Sequence, residues 1–183
     1  AIADQGFAYI LEQIKPGMTE IQVANQLDFY MRSLGATSVS FDTIVASGVR
    51  SAMPPGVAST KVIEKGDLLT LDFGCYYEGY VSDMTRTFAL GDPGEKLKEI
   101  HQIVLEAQLM VNAVAKAGMS GVELDAVARD YISSPGFGEA FGHSTVHGIG
   151  LEIHEGPNVS FKSPNLFLLG NVFTIEPGFY LPG

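Results

Sequence analysis

Three blocks of this chain recur in the same order about one hundred residues later. KPGMTEIQV at 15–23 returns as KAGMSGVEL at 116–124, an offset of 101. FDTIVASG at 41–48 aligns with FGHSTVHG at 141–148, an offset of 100, and GDLLTLDFG at 66–74 aligns with GNVFTIEPG at 170–178, an offset of 104. Solenoid and propeller units repeat every 20–50 residues or so, which this period well exceeds. The expected architecture is α+β: one duplicated helix-plus-antiparallel-sheet half, the two halves forming a single pseudo-twofold domain over residues 1–183.

The local patterns fit that order. Phe7, Ile10, Leu11 and Ile14 fall on one helical face, and KPGM ends the helix. Thr19 with Gln22 forms a capping box that opens a second helix, with Ala24, Leu27, Met31 and Leu34 as its stripe. Val39, Phe41, Thr43 and Val45 alternate as in a strand, and Leu68–Cys75 with Tyr80–Phe88 reads as a hairpin. Leu97, Ile100, Val104, Ala107, Val111 and Val114 mark a long helix broken by KAGM. Ser120 with Glu123 caps the next helix, and the final third is expected to return to strands.

The repeat also pairs two acids. Asp72 in TLDFG and Glu176 in TIEPG each end an apolar strand in the same frame. Around a pseudo-twofold axis they would approach one point. Asp83 joins Asp72 through the hairpin: a turn centred on Tyr77-Glu78 sets the two directly opposite, and one centred on Glu78-Gly79 leaves them diagonal. Either way they share a face, with Cβ atoms roughly 5–8 Å apart. Like charges so placed beside Leu71, Phe73 and Val81 are costly unless something neutralises them. A shared proton, a basic partner such as Arg86, or a divalent metal would serve; two acids on a solvated face is the plain alternative.

Histidines favour the metal. Three of the chain's four, His143, His147 and His154, lie within FGHSTVHGIGLEIHEGP at 141–157, while His101 falls on a charged helix face. Gly142, Gly148 and Gly150 argue against a helical zinc motif there, and Ser144 stands where that motif needs Glu. Oxygen ligands with an imidazole suit Mn²⁺, Co²⁺ or Zn²⁺. Three or more carboxylates exceed one dication's charge, so two ions roughly 3.5–4 Å apart are expected. Phosphatases, nucleases and aminopeptidases all use such a pair. The net charge of −10 weighs against a nucleic-acid or other phosphate-rich partner. No apolar run approaches the roughly 18 residues of a membrane span, so no membrane partner is expected. The single cysteine, Cys75, excludes an internal disulfide and fits a reducing, cytoplasmic compartment.

Together DFG with SDMTRT, HSTVHGIGLEIHE and TIEPGFY resemble the pita-bread metallopeptidases, which include methionine aminopeptidase, Xaa-Pro aminopeptidase and prolidase. ASGVRSA and HGIGLEIHEGP resemble the Xaa-Pro branch most. The resemblance implies a dinuclear enzyme, with manganese as the expected metal, that releases an N-terminal residue ahead of proline from short proline-containing peptides. Asp72 would bind one metal and Asp83 would bridge both. His147 and Glu176 would bind the other, Glu176 also handling the proton of the attacking water. His154 would contact substrate at the scissile bond, and His143 and Tyr180 would line the pocket beyond it. A homodimer is compatible with this reading. Alternatives are a non-catalytic pita-bread domain that binds peptides or protein partners, and a two-metal phosphoesterase.

The chain departs from the pattern in places. Pro55 stands where the family carries a substrate-positioning His, and Val146 stands where Gly or Ser precedes the ligand His. Leu168-Leu169-Gly170-Asn171 replaces a common E-P-G-M. The family's fifth ligand, a Glu in an R-I-E motif, would fall at roughly position 190, past Gly183. An N-terminal domain of the Xaa-Pro branch is absent from these residues, and Ala1 opens inside a helical pattern, as in an excised or processed piece. The expectation is a C-terminally incomplete pita-bread domain that, as 183 residues alone, binds metal poorly and is inactive.

Overall fold

The computed structural model describes residues 1–53, 56–157, 165–178 and 180–181; Pro55 lies outside the described residues. The chain forms two compact units, Ala1–Leu97 and Lys98–Leu181. Among the described residues, no helix is long and apolar enough to cross a membrane.

In the first unit, α1 (Ile2–Gln13) and α2 (Glu20–Ser33) precede six short strands. Thr19 caps α2 through a complete capping box with Gln22, as its letters imply. The strands are β1 (Ser38–Val39), β2 (Ile44–Ser47), β3 (Leu68–Phe73), β4 (Cys75–Tyr77), β5 (Tyr80–Val81) and β6 (Met84–Ala89). They build two antiparallel sheets, ordered β1-β4-β5 and β2-β3-β6. The expected single strand through 39–45 is therefore two strands in different sheets. Residues 40–43 do not pair as a strand between them, and the Ser40 hydroxyl instead donates to the Ser82 carbonyl at 2.8 Å.

β3 alternates cleanly. Leu69, Leu71 and Phe73 are fully buried against Ile10, Val23, Leu27 and Met31 of the helices, each contributing roughly 1.5–3 kcal/mol by its burial. Thr70 and Asp72 take the other face.

The second unit repeats the plan with α3 (Glu95–Val114) and α4 (Gly121–Ser133), the latter capped by Ser120 and Glu123. Its core joins Ala107, Val111, Leu124, Ala128 and Ile132 to Phe141, Val146 and Phe167. The repeat reaches individual hydrogen bonds. Gly17 N donates to Ile63 O at 2.9 Å and Ile63 N to Met18 O at 2.8 Å. One repeat later, Gly118 N donates to Phe167 O and Phe167 N to Met119 O, both at 2.8 Å. Gly17 and Gly118 adopt φ of +99° and +91°, a left-handed conformation that explains the conserved place of glycine in both KPGM and KAGM.

The final third departs from the expected strands. Its described residues are extended chain joined by single bridges rather than a continuous ladder. Ile149 N to Val172 O (3.1 Å), Thr174 N to His147 O (2.8 Å) and Glu176 N to Thr145 O (2.7 Å) hold two segments antiparallel. Pro157 and Pro177 have no N–H to donate, and Gly148 and Gly150 weaken a strand interior. The pairing needed by the site survives without regular strand geometry.

Candidate metal centre

In the first unit the hairpin resolves the alternatives left by the sequence. Tyr76 pairs with Val81 and Tyr77 with Tyr80, so the turn is Glu78-Gly79. Both turn residues have positive φ, +50° and +83°, as a type I′ turn requires. The same register runs on into β3 and β6, where Asp72 opposes Thr85 and Phe73 opposes Met84. Asp83, two residues before Thr85, is thus the diagonal neighbour of Asp72 on the same face. Thr70 and Thr87 continue that face, their hydroxyls 3.0 Å apart.

Arg86 is not the partner that its position in sequence suggested. It pairs with Leu71, on the opposite face, and its Nη1 donates to the Thr85 carbonyl at 2.7 Å. Asp72 Oδ1 is shielded from solvent, so one oxygen of this acid is withdrawn from water. Between the two acids, Gly74 lets the backbones close: a Cβ there would overlap the Ser82 carbonyl oxygen.

In the second unit the segment 143–154 meets 172–178 and Tyr180. Thr174 and Glu176 pair with His147 and Thr145, which sets the His147 ring beside the Glu176 carboxylate, Nε2 to Oε1 at 3.2 Å. His147 Nδ1 lies 3.0 Å from the Gly148 carbonyl oxygen. A carbonyl only accepts, so Nδ1 carries a hydrogen, and Nε2 faces the carboxylate either as an N–H that pairs with it or as a lone pair free to bind a cation. In the unprotonated ring, the Nε2 lone pair and the carboxylate oxygen together offer two donors to one cation. A metal-binding histidine commonly donates its other ring N–H to a backbone carbonyl, as Nδ1 does here to Gly148. The donor set therefore fits a hard or borderline dication.

His154 is exposed, and its ring centroid is 4.5 Å from that of His147. His143 turns to the other side, its ring 5.9 Å from Tyr180 and edge-on to Phe141 at 5.4 Å. Gly178 contributes to this wall by lacking a side chain, since a Cβ there would sit 3.3 Å from His143 Nε2. Gly148 does likewise behind the His147 ring. It bridges both Glu155 and Phe173, and a Cβ on it would lie 2.5 Å from the carbonyl oxygens of Glu155 and Gly156. His101 is exposed on α3, away from these groups in its own unit's core.

Two residues that matter here were not singled out by the sequence. The buried Asp125 and the partly exposed Arg129 of α4 form an ion pair, Nε to Oδ2 at 2.7 Å, which touches 141–145. The available signal was an acid adjoining the apolar positions Leu124, Ala128 and Ile132, with Arg one turn on.

The model of metallopeptidase family M24 matches residues 1–183. An uncharacterized peptidase, YqhT, of Bacillus subtilis is 58% identical over 99% of the chain, which covers 51% of that protein. The Xaa-Pro dipeptidase of Pyrococcus horikoshii is 49% identical over 99% of the chain and 52% of its own length. Among solved structures, a Xaa-Pro dipeptidase from Bacillus anthracis superposes with a TM-score of 0.98 at 61% identity, covering all of this chain and 51% of that one. The chain thus spans about half the length of the relatives it matches.

Proposed function

This chain belongs to metallopeptidase family M24 and has its pita-bread fold, and from that premise we propose that it carries the metal-binding part of a Xaa-Pro dipeptidase or aminopeptidase. The proposed ligands are Asp72, Asp83, His147 and Glu176, holding two divalent ions, with Mn²⁺ favoured over Co²⁺ or Zn²⁺. The observation that carries the reading is the His147–Glu176 contact, in which an imidazole nitrogen and a carboxylate oxygen face each other at 3.2 Å. The paired acids Asp72 and Asp83 on one hairpin face support it. Proline-containing peptides are the proposed substrates, by likeness to relatives that bear the name Xaa-Pro dipeptidase.

Bound metal would polarise the scissile carbonyl and lower the pKa of the attacking water. The chain's own residues do the rest. Glu176, carrying a free carboxylate edge, accepts the proton from water and returns it to the leaving amine of proline. His154, beside the His147 ring, donates to substrate at the scissile bond. His143 and Tyr180 form a wall for the residue beyond that bond, and the bare Gly178 leaves room against His143. The Nδ1–H bond to Gly148 keeps His147 from rotating away.

The test is metal analysis of the purified protein paired with hydrolysis of a Xaa-Pro dipeptide and a longer peptide. Two equivalents of metal and Mn²⁺-dependent release of the residue ahead of proline are expected of the intact protein, and weak metal binding without activity of the 183 residues alone. Tight two-metal binding with cleavage of a phosphoester and no peptide would overturn the reading.

A further inference from the structure

An ion pair that buries one of its charges gains little net stability, since the desolvation of that charge offsets much of the attraction. The Asp125–Arg129 pair is therefore notable for what else it holds. Asp125 is 2% exposed, and its Oδ1 accepts both the Thr145 N–H at 3.1 Å and the Thr145 hydroxyl at 2.8 Å. Arg129 donates Nε and Nη2 to the Asp125 carboxylate, then Nη1 to the Phe141 carbonyl at 2.8 Å and Nη2 to the His143 carbonyl at 3.1 Å. Its guanidinium carbon lies 4.3 Å from the centre of the Phe141 ring.

These contacts lead to two different places. The Arg129 bonds fix the backbone of His143, whose ring faces Tyr180. The Asp125 bonds fix Thr145, whose own carbonyl accepts the Glu176 N–H at 2.7 Å. We propose that Asp125 and Arg129 are positioning residues with divided tasks: Arg129 sets the substrate wall through His143, and Asp125 sets Glu176 through Thr145. Neither touches the reacting atoms. The kinetic consequences rest on the peptidase reading above, whereas the geometric ones do not.

Three conservative variants of the intact protein separate the tasks. Arg129→Lys keeps the charge but loses the fork that reaches two carbonyls. A cavity of about 560 Å³ borders Arg129, so water can take the vacated place without collapse. Thr145→Val removes only the hydroxyl, and Thr145→Ser restores it. With a Xaa-Pro dipeptide and Mn²⁺, Arg129→Lys should raise KM about tenfold with kcat within about twofold. Thr145→Val should lower kcat about tenfold with KM nearly unchanged, and Thr145→Ser should recover most of that loss. Equal effects of both variants on kcat and KM, tracking a common fall in Tm, would show a mere scaffold and overturn the proposal.

A second readout needs no activity. In metal-free protein, ¹⁵N resonances of the His143 ring should move in Arg129→Lys and stay in place in Thr145→Val. Unmoved His143 resonances in Arg129→Lys overturn the assignment even if the unsubstituted protein cleaves no peptide, an outcome that would itself sink only the peptidase reading. Should Arg129→Lys fail to fold, Thr145→Val against Thr145→Ser decides the Glu176 arm alone, and indistinguishable kcat values for the two would end it.

Discussion

His147 and Glu176 meet at 3.2 Å, Nε2 to Oε1, while the ring's other nitrogen donates to Gly148 at 3.0 Å. Glutamine at 176 keeps the shape, removes the charge and can donate its amide to Nε2. Glu176→Gln should therefore leave the metal-free protein at least as stable. Activity on a Xaa-Pro dipeptide should fall by about 10²–10⁴-fold, the usual span for removing a proton-transfer group, and calorimetric Mn²⁺ titration should show weaker binding. Retained activity at limiting metal would remove Glu176 from the mechanism.

Asp83→Asn tests the hairpin half of the site. Asp83 lies diagonal to Asp72 across the β3–β6 ladder, so one acid fewer relieves like-charge repulsion on that face. Without metal, the variant should be as stable as the parent or slightly more so. Metal content and peptidase activity should drop together, measured by elemental analysis and initial rates. A drop in activity with full metal content would give Asp83 some other task than ligation.

Gly148→Ala probes the close approach behind His147. The added Cβ would stand 2.5 Å from two carbonyl oxygens of backbone that cannot rotate aside. The expected cost is about 2–3 kcal/mol, typical of an overpacked site, read from chemical denaturation. Metal affinity should weaken too, because the Gly148 carbonyl orients the His147 ring. A variant as stable as the parent would mean that segment 155–156 shifts freely.

Asp28 supplies a pH test away from the site. Burial raises its carboxyl above the usual range, outweighing the Thr43 hydroxyl bond and the nearby Arg32, which lower it; Asp42 raises it further. The folded state thus holds this proton more tightly than the unfolded chain does. Stability from this group falls as pH rises through the interval between the two pKa values and stays reduced at neutral pH. Asp28→Asn, still accepting from Thr43, should raise Tm at pH 7 by an amount worth under about 1 kcal/mol, given the group's partial exposure. Thermal melts below the usual carboxylate pKa should show no such gain; an equal gain there would assign the effect to something other than charge.

Much of this molecule was legible in its letters because the signals were short-range. Both capping boxes span three residues, and both formed with their predicted partners. The hairpin numbering already set Asp72 and Asp83 on one face, and the repeat of KPGM in KAGM extended to matching backbone bonds. The residue types around His147 and Glu176 pointed to a metal before any distance was known.

What the sequence by itself determined, then, was the set of elements, their caps, and which side chains share a face. Those depend on periodicity and on hydrogen bonds within a single turn. Tertiary structure alone decided that the run 39–45 splits between two sheets, that Arg86 turns from Asp72, and that 141–150 pairs loosely rather than as a regular strand. It also joined Asp125 to Thr145, twenty residues away, and Glu20 to Ser47, twenty-seven away. No local pattern names such partners, because a buried carboxylate takes whichever donors packing brings to it, and the cost of leaving it unbonded in a dry interior is what holds those distant segments in place.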